Sequence, residues 1–254
     1  MQHAVWRARV LDVWHRAGFG PGQTILDLGC GPGYAAIDLA EVVGPRGRVI
    51  AVDRSRRFLD VLESRARDRG IANITAVEAD LDDVDLDAVV GPAAADGVWC
   101  RWVAAFVHNP HELMQRIHRV LKPGGVYVSH EYFEYGTWRL APPSPEIDEF
   151  VHTVIRSWRD AGGEPNIGLE IPSWLESLGF SVTTKPIVDV IGPESATWQW
   201  PRAFIESGLA RLSSLGLMDS ARAATIWTAF LAREQTPHTR MVTPALLESI
   251  ATKP

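Results

Sequence analysis

The sequence predicts an α/β fold, a mostly parallel sheet with helices on both faces. Three observations carry this. Short apolar runs of strand length alternate with longer amphipathic stretches between residues 24 and 131, the pattern of repeated strand–helix–strand units. The run Thr24–Leu28 breaks into glycines at alternate positions, Gly29, Gly31 and Gly33, and resumes as helix formers from Ala35 to Ala40. That is a strand, a tight turn and the start of a helix. A second apolar run, Arg48–Val52, ends in an acidic residue, Asp53.

Taken in order, residues 1–20 carry apolar side chains at Val5, Trp6, Val10, Leu11, Val13 and Trp14, spaced for an amphipathic helix that ends near Gly18 and Gly20. Pro21–Gly22 marks a turn before the first strand. The helix after the glycine turn stops at Gly44–Pro45. Beyond Asp53, Ser55 is placed as an N-cap for a helix running to Arg69 and Gly70. A third strand is expected at Asn73–Glu78 and a fourth at Gly97–Trp102. A helix over Pro110–Val120 then leads through Lys122–Pro123–Gly124–Gly125 to a fifth strand, Val126–His130. Pro142–Pro143–Ser144–Pro145 reads as a linker, followed by helices near 146–161 and 171–178. Phe180–Ile191 and Leu246–Thr252 read as the last two strands, with about fifty residues between them that the sheet does not require. Two helical stretches fall there, one to about Leu215 and one from Asp219 to Arg233.

Composition excludes several classes. At 254 residues the chain buries a full core as one large domain or a domain with a sizeable insertion. A net charge of −6 argues against a nucleic-acid partner. The arginines at 54, 56, 57, 65, 67 and 69 are interleaved with Asp60, Glu63 and Asp68, as on a solvated helix face. Two cysteines, Cys30 and Cys100, without metal-ligand spacing point to a reducing, cytoplasmic setting and no metal. No apolar run reaches membrane-spanning length and the N-terminus lacks a signal-peptide pattern, so no membrane partner is expected. Ten tryptophans are many for this length. Most read as core, and a few of the late ones as the lining of an aromatic pocket.

The glycine turn is the candidate ligand site. Glycines let the backbone turn sharply and approach a ligand, and the helix that follows offers unpaired N–H groups to ligand oxygens. A dinucleotide-binding fingerprint needs its third glycine five positions after the first, where this chain has Tyr34; Gly33 comes one residue early. Asp27, two positions before the first glycine, would repel a pyrophosphate and attract an ammonium or sulfonium. Asp53 lies where an acidic residue meets ribose hydroxyls, and a carboxylate accepts two hydrogen bonds from a vicinal diol. It could alternatively serve as a helix N-terminal charge beside Ser55.

The string D-x-G-x-G-x-G at residues 27–33 resembles motif I of the class I S-adenosylmethionine-dependent methyltransferases. Ala79–Asp80–Leu81 resembles motif III, and Arg119–Gly125 resembles the post-motif of the small-molecule members, in the right order over about residues 20–131. The overall likeness is to the ubiquinone and menaquinone biosynthesis group. The resemblance implies a Rossmann-like, seven-stranded sheet whose antiparallel last strand slots between strands five and six, with a helical cap inserted between strands six and seven. It divides the chain into a lid helix (1–20), a cofactor-binding core (21–192), a cap (193–240) and a final core strand (241–254). S-adenosyl-L-methionine is the implied cofactor, held by Asp27, Gly29, Cys30, Gly31, Gly33, Asp53, Arg54, Asp80, Leu81, Arg101 and Trp102. Within that set, Asp27 favours the cationic methionine end, Asp53 holds the ribose, and Asp80 and Leu81 meet the adenine.

Acceptor and catalysis are read at the ends of the fourth and fifth strands. The N/D-P-P-Y/F set of DNA methyltransferases is absent after strand four, which disfavours base amino groups. His130 or Glu131 is the expected general base, and alternation allows only one of them to face a given side of the sheet. Tyr132, Tyr135, Trp138, Trp198 and Trp200 are the expected wall around a small, apolar or aromatic acceptor. Nothing resembles the acidic ligand cluster of metal-dependent relatives. Two other readings stand beside this one, a cofactor-binding module without transfer activity and an NAD-dependent oxidoreductase. A monomer or homodimer is expected.

Overall fold

The structure, a computed structural model, describes residues 2–254. The N-terminal half comprises α1 (Gln2–Arg16), β1 (Thr24–Leu28), α2 (Tyr34–Val43), β2 (Arg48–Asp53), α3 (Arg56–Asp68), β3 (Ile74–Glu78), α4 (Leu86–Val90) and β4 (Ala95–Arg101). It continues with α5 (Pro110–Val120), β5 (Leu121–Glu134), β6 (Arg139–Ala141), α6 (Pro145–Asp160) and α7 (Ile171–Ser177). The remainder is β7 (Ser181–Ile187), β8 (Val190–Ile191), α8 (Gln199–Ser214), α9 (Ser220–Glu234), β9 (Arg240–Val242) and β10 (Ala245–Thr252). The contacts divide it into two compact units.

One unit holds Arg9–Glu131, Ile167–Lys185 and Leu247–Pro254. It is built on a seven-stranded sheet of order β3-β2-β1-β4-β5-β10-β7. The pairs β1–β2, β1–β4, β2–β3 and β4–β5 are parallel, and the last strand runs antiparallel. Helices cover both faces, so the central strands are apolar on both sides: Ile25, Leu26 and Leu28 of β1 and Val49, Ile50 and Val52 of β2 are all fully buried. Local signals set the helix ends. The Ser55 hydroxyl accepts from the Phe58 N–H at the start of α3. The Asn73 side-chain amide donates to the carbonyls of Ala40 and Gly44 and so closes the end of α2. β10 slots between β5 and β7. Just past its end, Lys253 exchanges backbone hydrogen bonds with Gly124 and Gly125, and its ammonium donates to the carbonyls of His118 (2.7 Å) and Leu121 (2.8 Å).

The other unit holds residues 2–8, Tyr132–Asn166 and Pro186–Leu246. It combines α6, α8 and α9 with a three-stranded antiparallel sheet of order β6-β9-β8. Its interior is aromatic. Trp138 packs edge-on against Tyr135, Phe150 and Phe204 at centroid distances of 5.6 to 5.9 Å, and Trp198 stacks on Phe230 at 5.7 Å.

The division differs from the expected one. A cap at 193–240 is too short, because the helical unit begins at Tyr132 and takes in α6. Trp138, Phe150 and Trp158 of that stretch are buried against Phe204 of α8, which ties 132–166 to the later helices. The first helix ends at Arg16, and its two halves fall in different units rather than forming a separate lid. Of the small sheet, β8 falls within the expected strand Phe180–Ile191, while β6 and β9 have no counterpart among the expected elements; three residues are too few for a period to show.

Candidate cofactor site

The glycine turn joins β1 to α2 at the carboxyl edge of the sheet, beside the point where strand order reverses between β1 and β4. All three glycines are left-handed, with φ of 66° at Gly29, 53° at Gly31 and 79° at Gly33. Their surroundings separate them. A Cβ on Gly29 would lie 2.4 Å from a methyl of Val103, and one on Gly33 would lie 2.2 Å from a methyl of Leu62. A Cβ on Gly31 would meet nothing within 4 Å. The outer two glycines admit the chain's own side chains, and the middle one opens onto free space.

Asp27 stands directly beneath the turn, 2% exposed. Its Oδ2 is buried with no hydrogen-bond partner among the described residues. Burial pushes the carboxyl up to about 7, the positive charge of Arg101 pulls it back, and Asp53 adds repulsion. Arg101 ends β4 with its guanidinium 4.8 Å from the centroid of the Trp102 ring. Trp102 is itself left-handed at φ 56°, a conformation unusual for a bulky residue, and donates its N–H to the His130 carbonyl at 3.0 Å. Cys30 is buried in the turn, and burial pushes its thiol far up, so it is a neutral group there.

Asp53 does not simply face outward. Its Oδ2 accepts from the Gly31 N–H and its Oδ1 from the Ser55 N–H, both at 2.8 Å. The carboxylate thus ties the glycine turn to the start of α3, and each oxygen keeps a second lone pair for a further donor. The Ser55 contact places this carboxylate at the start of α3, one of the two alternatives read from the sequence. Farther along the edge, Arg54 lies 3.8 Å from Asp80, both partly solvent-exposed, and Asp80 accepts from the Asp82 N–H at 3.1 Å. Leu81 is 6% exposed and belongs to the hydrophobic core with Val52, Val84 and Leu86, so its side chain serves packing.

The two expected bases are corrected by burial. His130 is fully inaccessible; its Nε2 meets Glu248 Oε2 at 3.1 Å, and Arg16 closes on the other Glu248 oxygen at 2.5 Å. Burial holds the imidazole below its usual value against the pull of Glu248. Glu131 points to the opposite face, 1% exposed, where Oε1 accepts from the N–H groups of Val103 (2.8 Å) and Ala104 (3.0 Å). Burial pushes its carboxyl up to about 7 against those donors. Neither side chain is open to an incoming acceptor.

The expected aromatic wall is corrected in the same way. Tyr132, Tyr135, Trp138, Trp198 and Trp200 are each 1–5% exposed. Tyr132 packs on Tyr135 at 4.7 Å and Trp200 on Trp6 at 5.1 Å, while the Trp198 indole donates to Glu234 at 2.7 Å. These rings are the interior of the helical unit. Partners missed from the sequence are Val103, Leu62 and Glu248. Each acts from far along the chain, and no local pattern marks it.

S-adenosylmethionine fits these residues. There is room over Gly31, an unpartnered buried carboxylate oxygen on Asp27 for a cationic group, and spare acceptor capacity on Asp53. A seven-stranded sheet of this order with a glycine turn at its switch point defines the Rossmann-like fold of the class I methyltransferases. Residues 20–142 match the family model described as a methyltransferase domain. Over that stretch, just under half of its length, the chain is similar to the class I S-adenosylmethionine-dependent methyltransferases. It is 37% identical to a 2-phytyl-1,4-naphtoquinone methyltransferase from Nostoc over 48% of this chain and 51% of that protein. It is 36% identical to an uncharacterized protein encoded in a Streptomyces fradiae transposon, over 70% of this chain and 50% of that one. The chain spans about half the length of the curated relatives it matches. Among solved structures, the YcgJ protein of Bacillus subtilis superposes with a TM-score of 0.65 at 15% identity, over 97% of this chain and 98% of that one, a likeness of fold.

Proposed function

We propose that this chain transfers the methyl group of S-adenosylmethionine to a small apolar or aromatic acceptor of the phenol or quinol kind. The observation that carries the reading is the buried, unpartnered Asp27 oxygen beneath the open Gly31 backbone. The acceptor class is supported by the naphthoquinone relative. Bound there, the cofactor would supply an electrophilic methyl group. The protein's part is alignment and exclusion of water. Asp27 attracts the cationic end, the Gly31 backbone allows close approach, Asp53 accepts from the ribose, and Asp80 meets the adenine edge with Arg54 beside it. Arg101 and Trp102 flank the methionine end at the close of β4. With His130 and Glu131 both buried and engaged, the chain offers neither as a base, which favours acceptors acidic enough to need little help, such as quinols.

The same burial favours a second reading, a cofactor-binding module without transfer. Calorimetric titration with S-adenosylhomocysteine tests the site, and transfer of labelled methyl to a panel of phenols and quinols tests the activity. Micromolar binding with label transfer supports the first reading. Binding with no transfer to any acceptor favours the second, and no binding overturns both.

A further inference from the structure

We propose that Glu131 is a positioning residue for the glycine turn: through the backbone of Val103 and Ala104 it holds the Val103 side chain against Gly29. The inference rests on the cofactor site described above. Its observations are independent of any ligand.

Strand β5 grips the turn after β4 with two consecutive residues. The His130 carbonyl accepts the Trp102 N–H at 3.0 Å, and the Glu131 carboxylate accepts the Val103 and Ala104 N–H groups at 2.8 and 3.0 Å. These two donors stand at the opening of the short 3-10 turn Ala104–Phe106 and converge on one oxygen as in an anion-binding nest. The clamp holds Trp102 in its left-handed conformation, which swings the chain so that Val103 turns toward the glycine turn. The Val103 methyls occupy the space a side chain at position 29 would need, at 2.4 and 2.7 Å from the ideal Cβ. The Gly29 and Cys30 N–H groups in turn donate to the Val52 carbonyl at 2.8 and 3.0 Å, fixing the level of the turn over β2. Glu131 therefore sits at the end of a chain of contacts, carboxylate to Val103 backbone to Val103 side chain to Gly29. A carboxylate buried at 1% with a spare oxygen is a costly way to cap three residues of 3-10 helix unless the geometry of that turn matters.

The test uses the whole chain as wild type, Glu131→Ala, Glu131→Gln, Val103→Ala and the double variant Glu131→Ala/Val103→Ala. Affinity for S-adenosylhomocysteine is measured by calorimetry, and amide exchange over residues 28–34 is measured without ligand. Glutamine keeps the accepting oxygen and alanine does not. Glu131→Ala is expected to weaken binding about tenfold or more, Glu131→Gln to stay within about threefold, and the double variant to be no weaker than the poorer single. Exchange over the glycine turn should quicken in Glu131→Ala and Val103→Ala and not in Glu131→Gln. Affinity and exchange unmoved by Val103→Ala, or additive losses in the double variant, would overturn the assignment even if Glu131→Ala fails to fold. A wild type without affinity for the probe sinks the cofactor reading, while the exchange pattern still decides the role of Glu131.

Discussion

Alanine at Gly31 and alanine at Gly29 should fail for different reasons. Both positions are left-handed, and an L-residue there costs about 1–2 kcal/mol over glycine. At Gly31 nothing more is added, because the new methyl enters free space. At Gly29 the methyl would lie within 2.4 Å of Val103, and overpacking adds about 1–3 kcal/mol. Gly29→Ala should therefore unfold at a clearly lower urea concentration than Gly31→Ala, with a stability difference of about 1–3 kcal/mol. Affinity reverses the order of interest. Among properly folded protein, Gly31→Ala should lose S-adenosylhomocysteine binding by at least about tenfold, since the methyl fills the space over the turn. Urea denaturation and calorimetry on the two variants give both numbers. A Gly31→Ala protein that binds like wild type would show that the open space is not where the cofactor lies. Equal stabilities for the two variants would refute the assignment of Gly29 to internal packing.

Asp27 titrates near 7 when folded against 3.8 for an ordinary solvated aspartate, so between these values the folded state holds a proton that the unfolded state has lost. Its contribution to stability is greatest in acid and is lost as pH rises through about 7; Glu131 acts in the same direction. Asp27→Asn should flatten the fall in urea midpoint between about pH 4 and 7, weaken cofactor binding, and abolish the proton release that accompanies it in the wild type. His130 behaves oppositely: its folded value is depressed, so the unfolded chain takes the proton first and stability falls as pH drops below the usual imidazole range. Glu248→Gln, which removes the charge between His130 and Arg16, should cost about 1–3 kcal/mol by denaturation. His130→Asn should leave labelled-methyl transfer within about tenfold of wild type, and a loss of about a thousandfold would restore His130 as a base. Trp198→Ala should destabilise by about 3–5 kcal/mol through the cavity left beside Phe230 and the loss of its bond to Glu234, without changing cofactor affinity.

The core sheet is legible in the sequence because each strand of it announces itself locally. Thr24–Leu28 ends in glycines, Arg48–Asp53 ends in a carboxylate, and Lys122–Gly125 turns the chain before the fifth strand, which the structure extends to Leu121–Glu134. The glycine turn can be found from spacing alone, but which glycine serves the ligand cannot. That distinction depends on Val103 and Leu62, residues some seventy and thirty positions away in a sequence with no pattern linking them. The role of Glu131 is hidden for a related reason. Strand alternation correctly sends it and His130 to opposite faces, yet the partners that occupy them, Val103, Ala104 and Glu248, come from other strands and turns. Tryptophans near the end of a strand look the same in sequence whether they line a cleft or fill an interior. Trp138 and Trp198 fill one, and only the helices packed over them reveal it.

The position of β10 bears on how the molecule comes into being. A ribosome releases the neighbours of this strand first: β5 is complete by residue 134 and β7 by residue 187, while the strand between them starts at residue 245. Until then the nascent sheet carries a gap with two unpaired edges, each a template for a stray strand from another chain. Lys253 then fastens the insertion by holding the carbonyls of His118 and Leu121. A chain stopped before residue 245 would keep every element of the glycine turn and still present those open edges, so its fate should be aggregation rather than a smaller working enzyme.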